Sequence, residues 1–436
     1  MTETIDQTYD NQRSTSLTTN LKKQKEQILL VNAVILRELN GQLGLDDQTC
    51  ASLRRWTEHF HEVIFAGIIL PEDIVDTSGA SVAGTNWQAI ADLPFADKIE
   101  LLPLPYAYKL QDFIKTYATT RQLLKKKIEE SKYLCFALSG LIGDWGSLAC
   151  IEAIKQGRSY SVWTDRVEYE VISRILSNFP LKRRIKEDLT LPLMKKYHQY
   201  LVRRSELGLF QGQDCYLEFS PFSKHPYCVY DVHTQKSDQI DDYSLNRKID
   251  SLLSGNPLLI CYAGRASDEK GPLDWLHTLH YIYKLGINFQ AIWMGHGPLL
   301  STMKLLANDL GISDRVNLVG FVSDRSKILQ TMRESHIFLF CHKTPESPRC
   351  LVESLVSGCP IIGYGSAYPL GLTSEHGGAT FTPMNNWQKL AEQLVELNSD
   401  RARLSELIRS AALSGQHYDE ETVFQIRCNL MKQYIK

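Results

Sequence analysis

The stretch LLICYAGRASDEKG, residues 258–271, decides how the chain folds. LLICYA has the length and apolar character of a buried strand, and Gly264 lets the backbone turn sharply at its end. Arg265 and Lys270 then place two cations on one short loop, and an amphipathic stretch follows Gly271. Strand, glycine turn and helix together form one βα unit. A fork-shaped guanidinium beside an ammonium suits a diphosphate, although the same residues also fit an ordinary surface loop.

The unit repeats in both directions. Downstream, strands are predicted at FQAIWMG (289–295), VNLVGF (316–321), HIFLFC (336–341), PIIGYG (360–365) and GATFT (378–382). Upstream they are predicted at QILLVN (27–32), EVIFAG (62–67), IELLPL (99–104), YLCFAL (133–138), YSVWT (160–164) and LGLFQ (207–211). Helical patterns lie between them, as at 108–131 and 146–156. Such alternation predicts an α/β protein with parallel sheets. A polar stretch, TQKSDQIDDYSLNRK (234–248), separates the two series as a linker or exposed helix. The expected architecture is two Rossmann-like domains facing a central cleft. The expected boundaries are a disordered tail at 1–26, an acceptor-side domain at 27–234 and a linker at 235–256. A ligand-binding domain at 257–416 and a closing helix at 417–436 complete the chain.

Composition agrees with this size. The 436 residues exceed what one core usually serves, and 43% apolar with 22% charged residues is ordinary for a globular protein. A net charge of −2 gives no global attraction to nucleic acid. The ten cysteines form no C-x-x-C pair and no zinc-like cluster, so reduced, mostly buried thiols are expected. No apolar run approaches a membrane span, and the polar N-terminus lacks the core of a signal peptide. The expected location is cytoplasmic, with peripheral contact at a membrane as an option.

Three further segments carry candidate chemistry. In WMGHGPL, Gly295 and Gly297 would let a ligand approach the backbone, but Pro298 follows and the third glycine of a dinucleotide fingerprint is missing. In ESPRCLVESLVSGCP (346–360), Ser347-Pro348 reads as an N-cap followed by proline at the first helical position, with Gly358 as the stop. Amides near Arg349 and Cys350 would then face the cleft as helix-start donors. Glu346 would sit in the loop before the helix and Glu353 inside it, either as a sugar-hydroxyl acceptor or as a solvated carboxylate. In the first half, Asp165 could orient an acceptor or cap the following helix, and Asp144 in GLIGDWGS carries the same two readings. Between Pro180 and Arg204, eight basic residues stand against two acidic ones. That segment fits either a solvated helix face or contact with an anionic membrane.

Taken in order, GRxxxxKG, GxGP, VGFV, TPESPRCLVESLVSGCPIIGY and EHGGATF resemble the donor domain of the retaining GT-B glycosyltransferases of family 4. The resemblance is strong over about 257–400. It is fainter in the first half, where ILLVN, the glycines Gly41 and Gly44, and HEVIFAG echo the opening strand, turn and second strand. It implies transfer of a sugar from a nucleotide diphosphate donor, such as a UDP-sugar, to a hydroxyl acceptor, which could be lipid-linked. It implies neither cofactor nor metal, and no nucleic-acid partner. By the same resemblance Arg265 and Lys270 neutralise the diphosphate, Gly264, Gly41 and Gly44 approach the phosphates, and Gly295, Gly297, Phe321 and Val322 line the nucleotide pocket. Glu353 holds the ribose, and Glu346 contacts the transferred sugar.

Two departures stand out. Six residues separate Glu346 from Glu353 where the family has seven, and Ser-Pro-Arg-Cys replaces its Gly-Phe-Gly stretch. The family's histidine near the end of YSVWT is replaced by Thr164-Asp165. These departures motivate the alternative of a catalytically silent scaffold that binds nucleotide-sugar.

Overall fold

A computed structural model describes residues 26–71, 86–176, 179–344 and 347–436. Of the tail expected over 1–26, all but Glu26 lies outside the described residues.

The first domain is built on β1 (Gln27–Leu39), β2 (Gln42–Asp46), β3 (Glu62–Ile69), β4 (Trp87–Ala89), β5 (Ile99–Pro105), β6 (Tyr133–Ala137), β7 (Ser161–Thr164), β8 (Leu207–Gln211) and β9 (Pro226–Val229). Seven of these form a parallel sheet in the order β5-β3-β1-β6-β7-β8-β9, while β2 and β4 add an antiparallel extension to the far end of β1. The second domain uses β10 (Leu258–Ala263), β11 (Phe289–Met294), β12 (Val316–Gly320), β13 (Ile337–Phe340), β14 (Ile361–Tyr364) and β15 (Ala379–Thr382). All six are parallel, in the order β12-β11-β10-β13-β14-β15. The strands are buried because helices cover both faces, so they read as apolar runs rather than as alternation. This is why eleven of the fifteen were legible from sequence to within two residues, whereas β1 runs seven residues past its expected end and β2, β4 and β9 were not expected.

In both sheets the order reverses beside the first strand, between β1 and β6 and between β10 and β13. Such switch points open a crevice at the carboxyl ends of the strands, where ligands of doubly wound sheets bind.

The segment expected as a linker is partly domain. Helix Asp242–Leu253 buries Ile249 and Leu252 in the second core, and Lys248 donates to the carbonyls of Met332, Ser357 and Gly358. At the other end, helix Glu420–Tyr434 returns to the first domain. There Phe424, Cys428 and Met431 pack with Trp56, Phe60 and Tyr133. The chain therefore crosses between domains twice. The domains also touch directly at helix Ala367–Leu372, where the Tyr368 amide donates to Asp214 at 2.7 Å. None of the ten cysteines is in a disulfide, and eight are buried. Among the described residues, no helix is long and apolar enough to cross a membrane.

Candidate functional site

The switch point of the second domain gathers the residues singled out in sequence. Gly264 ends β10, and the turn Asp268–Lys270 follows. Across the switch, the loop after β13 lies against that turn, with the Lys343 amide donating to the Glu269 carbonyl at 2.9 Å. Lys343 is itself anchored by Asp274 (2.9 Å), which also accepts from the Tyr364 hydroxyl (2.7 Å). His342 is buried and lies 2.6 Å from the Tyr262 hydroxyl. Burial first, and then the charge of Lys270, push its pKa well below the ordinary value and keep it neutral. Lys270 is half-buried and Arg265 exposed, both beside the crevice rather than among the side chains that line its widest part.

Gly295 and Gly297 do something other than expected. A Cβ on Gly295 would lie 1.9 Å from the Gly264 carbonyl oxygen, and one on Gly297 would lie 2.4 Å from that of Ala266. The close approach they permit is to the neighbouring loop, which the Ala266 amide joins by donating to His296 at 3.0 Å. Neither glycine lines the cleft, whereas Phe321 and Val322, just past β12, do.

Helix Arg349–Val356 starts one residue later than the sequence suggested. Pro348 occupies the N-cap position without a side-chain cap bond. Ser347 instead reaches across to the first domain, its hydroxyl lying 3.3 Å from the Gln211 carbonyl and 3.5 Å from that of Asp165. The helix stops as expected, with Gly358 at φ 58°, a left-handed conformation that glycine adopts without strain. Glu353 lines the cleft one turn in, 3.5 Å from the Arg325 guanidinium, which also pairs with Asp238 at 2.9 Å. Cys350 is half-buried and packs against the second core rather than lining the cleft. Glu346 lies outside the described residues.

On the first domain one expectation is corrected. Gly41 and Gly44 do not form a phosphate loop. Asn40 (φ 51°) and Gly41 (φ 80°) are the two central residues of a tight hairpin joining β1 to β2, and Gly44 packs inside β2 against Leu39. Asn-Gly is the favoured pair for such a turn because both positions need positive φ. The irregularity that ends regular pairing of β1 comes earlier, between Val31 and Ile35, and it is this stretch that lines the cleft.

The two aspartates separate cleanly. Asp144 caps helix Trp145–Lys155, accepting from the amides of Ser139, Gly140 and Ser147 and from the Ser147 hydroxyl. Asp165 is not a cap, because helix Glu168–Ile175 starts after Val167. It stands in the cleft at the end of β7, where loss of bulk water raises its carboxyl pKa despite Arg166 nearby.

A cluster that the sequence did not suggest closes the cleft floor. Asp231 accepts from Arg349 at 3.0 Å and pairs with Arg427 of the closing helix at 3.4 Å, with His233 3.7 Å away. Burial alone would raise its pKa. The neighbouring His233 and the two guanidiniums outweigh that effect and hold the carboxyl far below the usual range. Arg349 also bonds Gln48, at the start of helix Asp47–His59 in the first domain. Asp231 follows β9, and nothing in its local sequence marks it, since both arginines that pair with it are remote in the chain. The whole cleft measures about 1410 Å³ and draws its lining from both domains and the closing helix.

Comparison with known proteins agrees with this geometry. Residues 246–413 match the family model described as glycosyl transferases group 1. A 2-deoxystreptamine glucosyltransferase of Streptomyces kanamyceticus is 28% identical over 114 residues, which span 26% of this chain and 28% of that protein. Among solved structures, HepE of Anabaena in complex with UDP superposes with a TM-score of 0.62 at 12% identity, covering 94% of this chain and 100% of the other. Sucrose-phosphate synthase of Thermosynechococcus elongatus does so with a TM-score of 0.62 at 12% identity, covering 94% and 99%. At such identity the likeness establishes the fold, with both domains included. The chain therefore has the GT-B fold, and its residues 246–413 match the glycosyl transferases group 1 family.

Proposed function

We propose that the protein is a retaining glycosyltransferase that moves a sugar from a nucleotide diphosphate donor to a hydroxyl acceptor. The observation that carries this reading is the switch point of the second domain. There the Gly264–Lys270 loop meets the loop after β13, which leads into helix Arg349–Val356, and all three lie inside the segment that matches the group 1 family.

In this reading Arg265, Lys270 and the helix start face the donor diphosphate and stabilise the charge that grows on it as the anomeric C–O bond breaks. No metal is needed in this reading, because Arg265 and Lys270 supply the positive charge that the leaving diphosphate requires. Phe321 and Val322 border the nucleotide, and Glu353 exchanges Arg325 for the ribose hydroxyls. Glu346 is assigned to the transferred sugar by its place before the helix. The solved HepE complexes with UDP and with UDP-glucose make a uridine diphosphate donor the first to try. Asp165, across the cleft from the donor helix, orients the acceptor hydroxyl. A lipid-linked acceptor is the form that the basic segment 182–204 favours.

The test is a panel of UDP-, GDP- and ADP-sugars, read by thermal shift and then by release of nucleoside diphosphate with cell extract as acceptor source. Stabilisation by one donor class with acceptor-dependent release is expected. No stabilisation by any donor would sink the reading. Binding without release would leave a nucleotide-sugar-binding scaffold.

A further inference from the structure

Helix Leu181–Arg204 has two halves that face opposite ways. Beyond Pro192, Met194, His198, Leu201 and Val202 are buried in the first core. Before and just past it, Leu181, Ile185, Leu189 and Leu193 recur every fourth residue. At about 100° per residue they drift across one face, on the other side of the helix from the buried residues. They are 70%, 54%, 74% and 57% exposed. Single exposed leucines are normal, but four in a row on one face mark an interaction surface. The same turns carry exposed Lys182, Arg183, Arg184 and Lys186 against exposed Asp188 and half-buried Glu187, a net charge of +2.

The stripe also has a definite place. His198 lies 3.2 Å from the Gly140 carbonyl, just past the carboxyl end of β6. The helix then runs back toward β8, so residues 181–193 project beyond that edge by up to about 25 Å at 1.5 Å per residue. This is the edge on which the cleft opens. Helix Leu110–Glu130 follows β5, so it starts on the same edge, and its first turns expose Leu110 (56%) and Ile114 (67%). Both helices flank helix Trp145–Lys155.

We propose that residues 181–193, with the start of helix Leu110–Glu130 on the same edge, form a docking surface for an anionic lipid bilayer. The apolar stripe enters the acyl boundary and the flanking cations meet lipid phosphates, as in-plane amphipathic helices do. Charge complementarity selects this occupant over a second copy of the chain. Two copies pairing through the stripe would bring together two segments of net charge +2, whereas a lipid phosphate surface neutralises that charge. Docked in this way, the cleft opens beside the membrane surface, along which a lipid-linked acceptor would arrive. That purpose rests on the proposed transfer; the docking does not.

The test is flotation of the full chain with phosphatidylcholine vesicles, with and without phosphatidylglycerol. The chain should float with the anionic vesicles, bind neutral ones at least tenfold more weakly, and release as salt rises. I185E/L189E and K182E/K186E should each lose at least tenfold in binding. Because all four positions are exposed, the unfolding midpoint should stay unchanged, and any UDP binding should match that of the unaltered chain. The proposal fails if the unaltered chain does not float with anionic vesicles, or if I185E/L189E floats equally well. It also fails if the stripe proves to be a dimer contact, with I185E/L189E turning a dimer into a monomer and neither form floating. UDP binding absent from every form would sink the transferase reading and leave the flotation result standing.

Discussion

Asp231 and Arg349 meet at 3.0 Å although 118 residues separate them, and the contact ties the start of the second-domain helix to the chain crossing between domains. The other Asp231 oxygen faces Arg427, which is only 3% exposed and lies over the rings of Trp163 and Phe424. Asp231 thus holds one cation that is half open to the cleft and one that is sealed under it. The two should behave differently when the carboxylate is removed.

Asp231→Ala should destabilise the protein by about 3–5 kcal/mol, because it leaves Arg427 charged and buried without a carboxylate. Arg349→Ala removes an arginine that is 39% exposed and should cost about 1 kcal/mol or less. Urea unfolding of both variants checks this. Equal losses would mean that Asp231 acts on the closing helix and the cleft alike.

The contrast between these clusters and the strands explains what the sequence could reveal. LLICYA and FQAIWM are apolar on both faces because helices cover both, and that signal is local. Gly358 and helix Glu420–Tyr434 were legible for the same reason, since a stop and an amphipathic period are written within a few residues. Gly41 and Gly44 misled because a glycine pair after a strand fits both a phosphate loop and a hairpin. Only the pairing of Leu39 with Gln42 decides between the two. Asp231, Arg427, Gln48 and Arg325 carried no signal at all, because each acquires its meaning from a partner brought close by the fold.

Glu353 is paired with Arg325 in the cleft, at 3.5 Å. If it holds the donor ribose, Glu353→Ala should weaken UDP binding roughly tenfold or more, in line with the loss of a hydrogen bond to a charged group. Arg325→Ala removes the competitor and should leave UDP affinity equal or higher. Isothermal titration with UDP decides. Unchanged affinity in the glutamate variant would remove it from the donor site.

Arg265 and Lys270 are assigned to charge that develops during transfer, so their loss should appear in kcat more than in KM. Each alanine variant should lose about 10²–10³ in kcat, the scale of removing one preorganised donor to a developing anion. The double variant should lose less than the product of the two if both face the same diphosphate. Steady-state rates of nucleoside diphosphate release measure this. A pure KM effect in both variants would assign them to ground-state binding.

His336 should give the fold a pH dependence of a definite sign. The residue is fully buried at the start of β13, and its Nδ1 accepts the Leu259 amide at 3.1 Å, which only the unprotonated nitrogen can do. Burial first, then the charges of Lys248 and Arg401, lower its pKa from 6.5 to about 4. Above pH 6.5 both folded and unfolded chains leave it neutral. Between 6.5 and 4 the unfolded chain takes up a proton that the folded chain refuses, so stability falls as pH falls across that window. The contribution to the slope approaches about 1.4 kcal/mol per pH unit. His198 and His342 are also held below their ordinary values and add to the same trend. His336→Asn supplies an oxygen that can accept from the Leu259 amide and removes the titration. It should lower stability at every pH through lost packing while flattening the slope between pH 7.5 and 5.5. Urea unfolding at several pH values across that range separates the two effects. A variant with the slope of the unaltered protein would show that His336 does not titrate on unfolding.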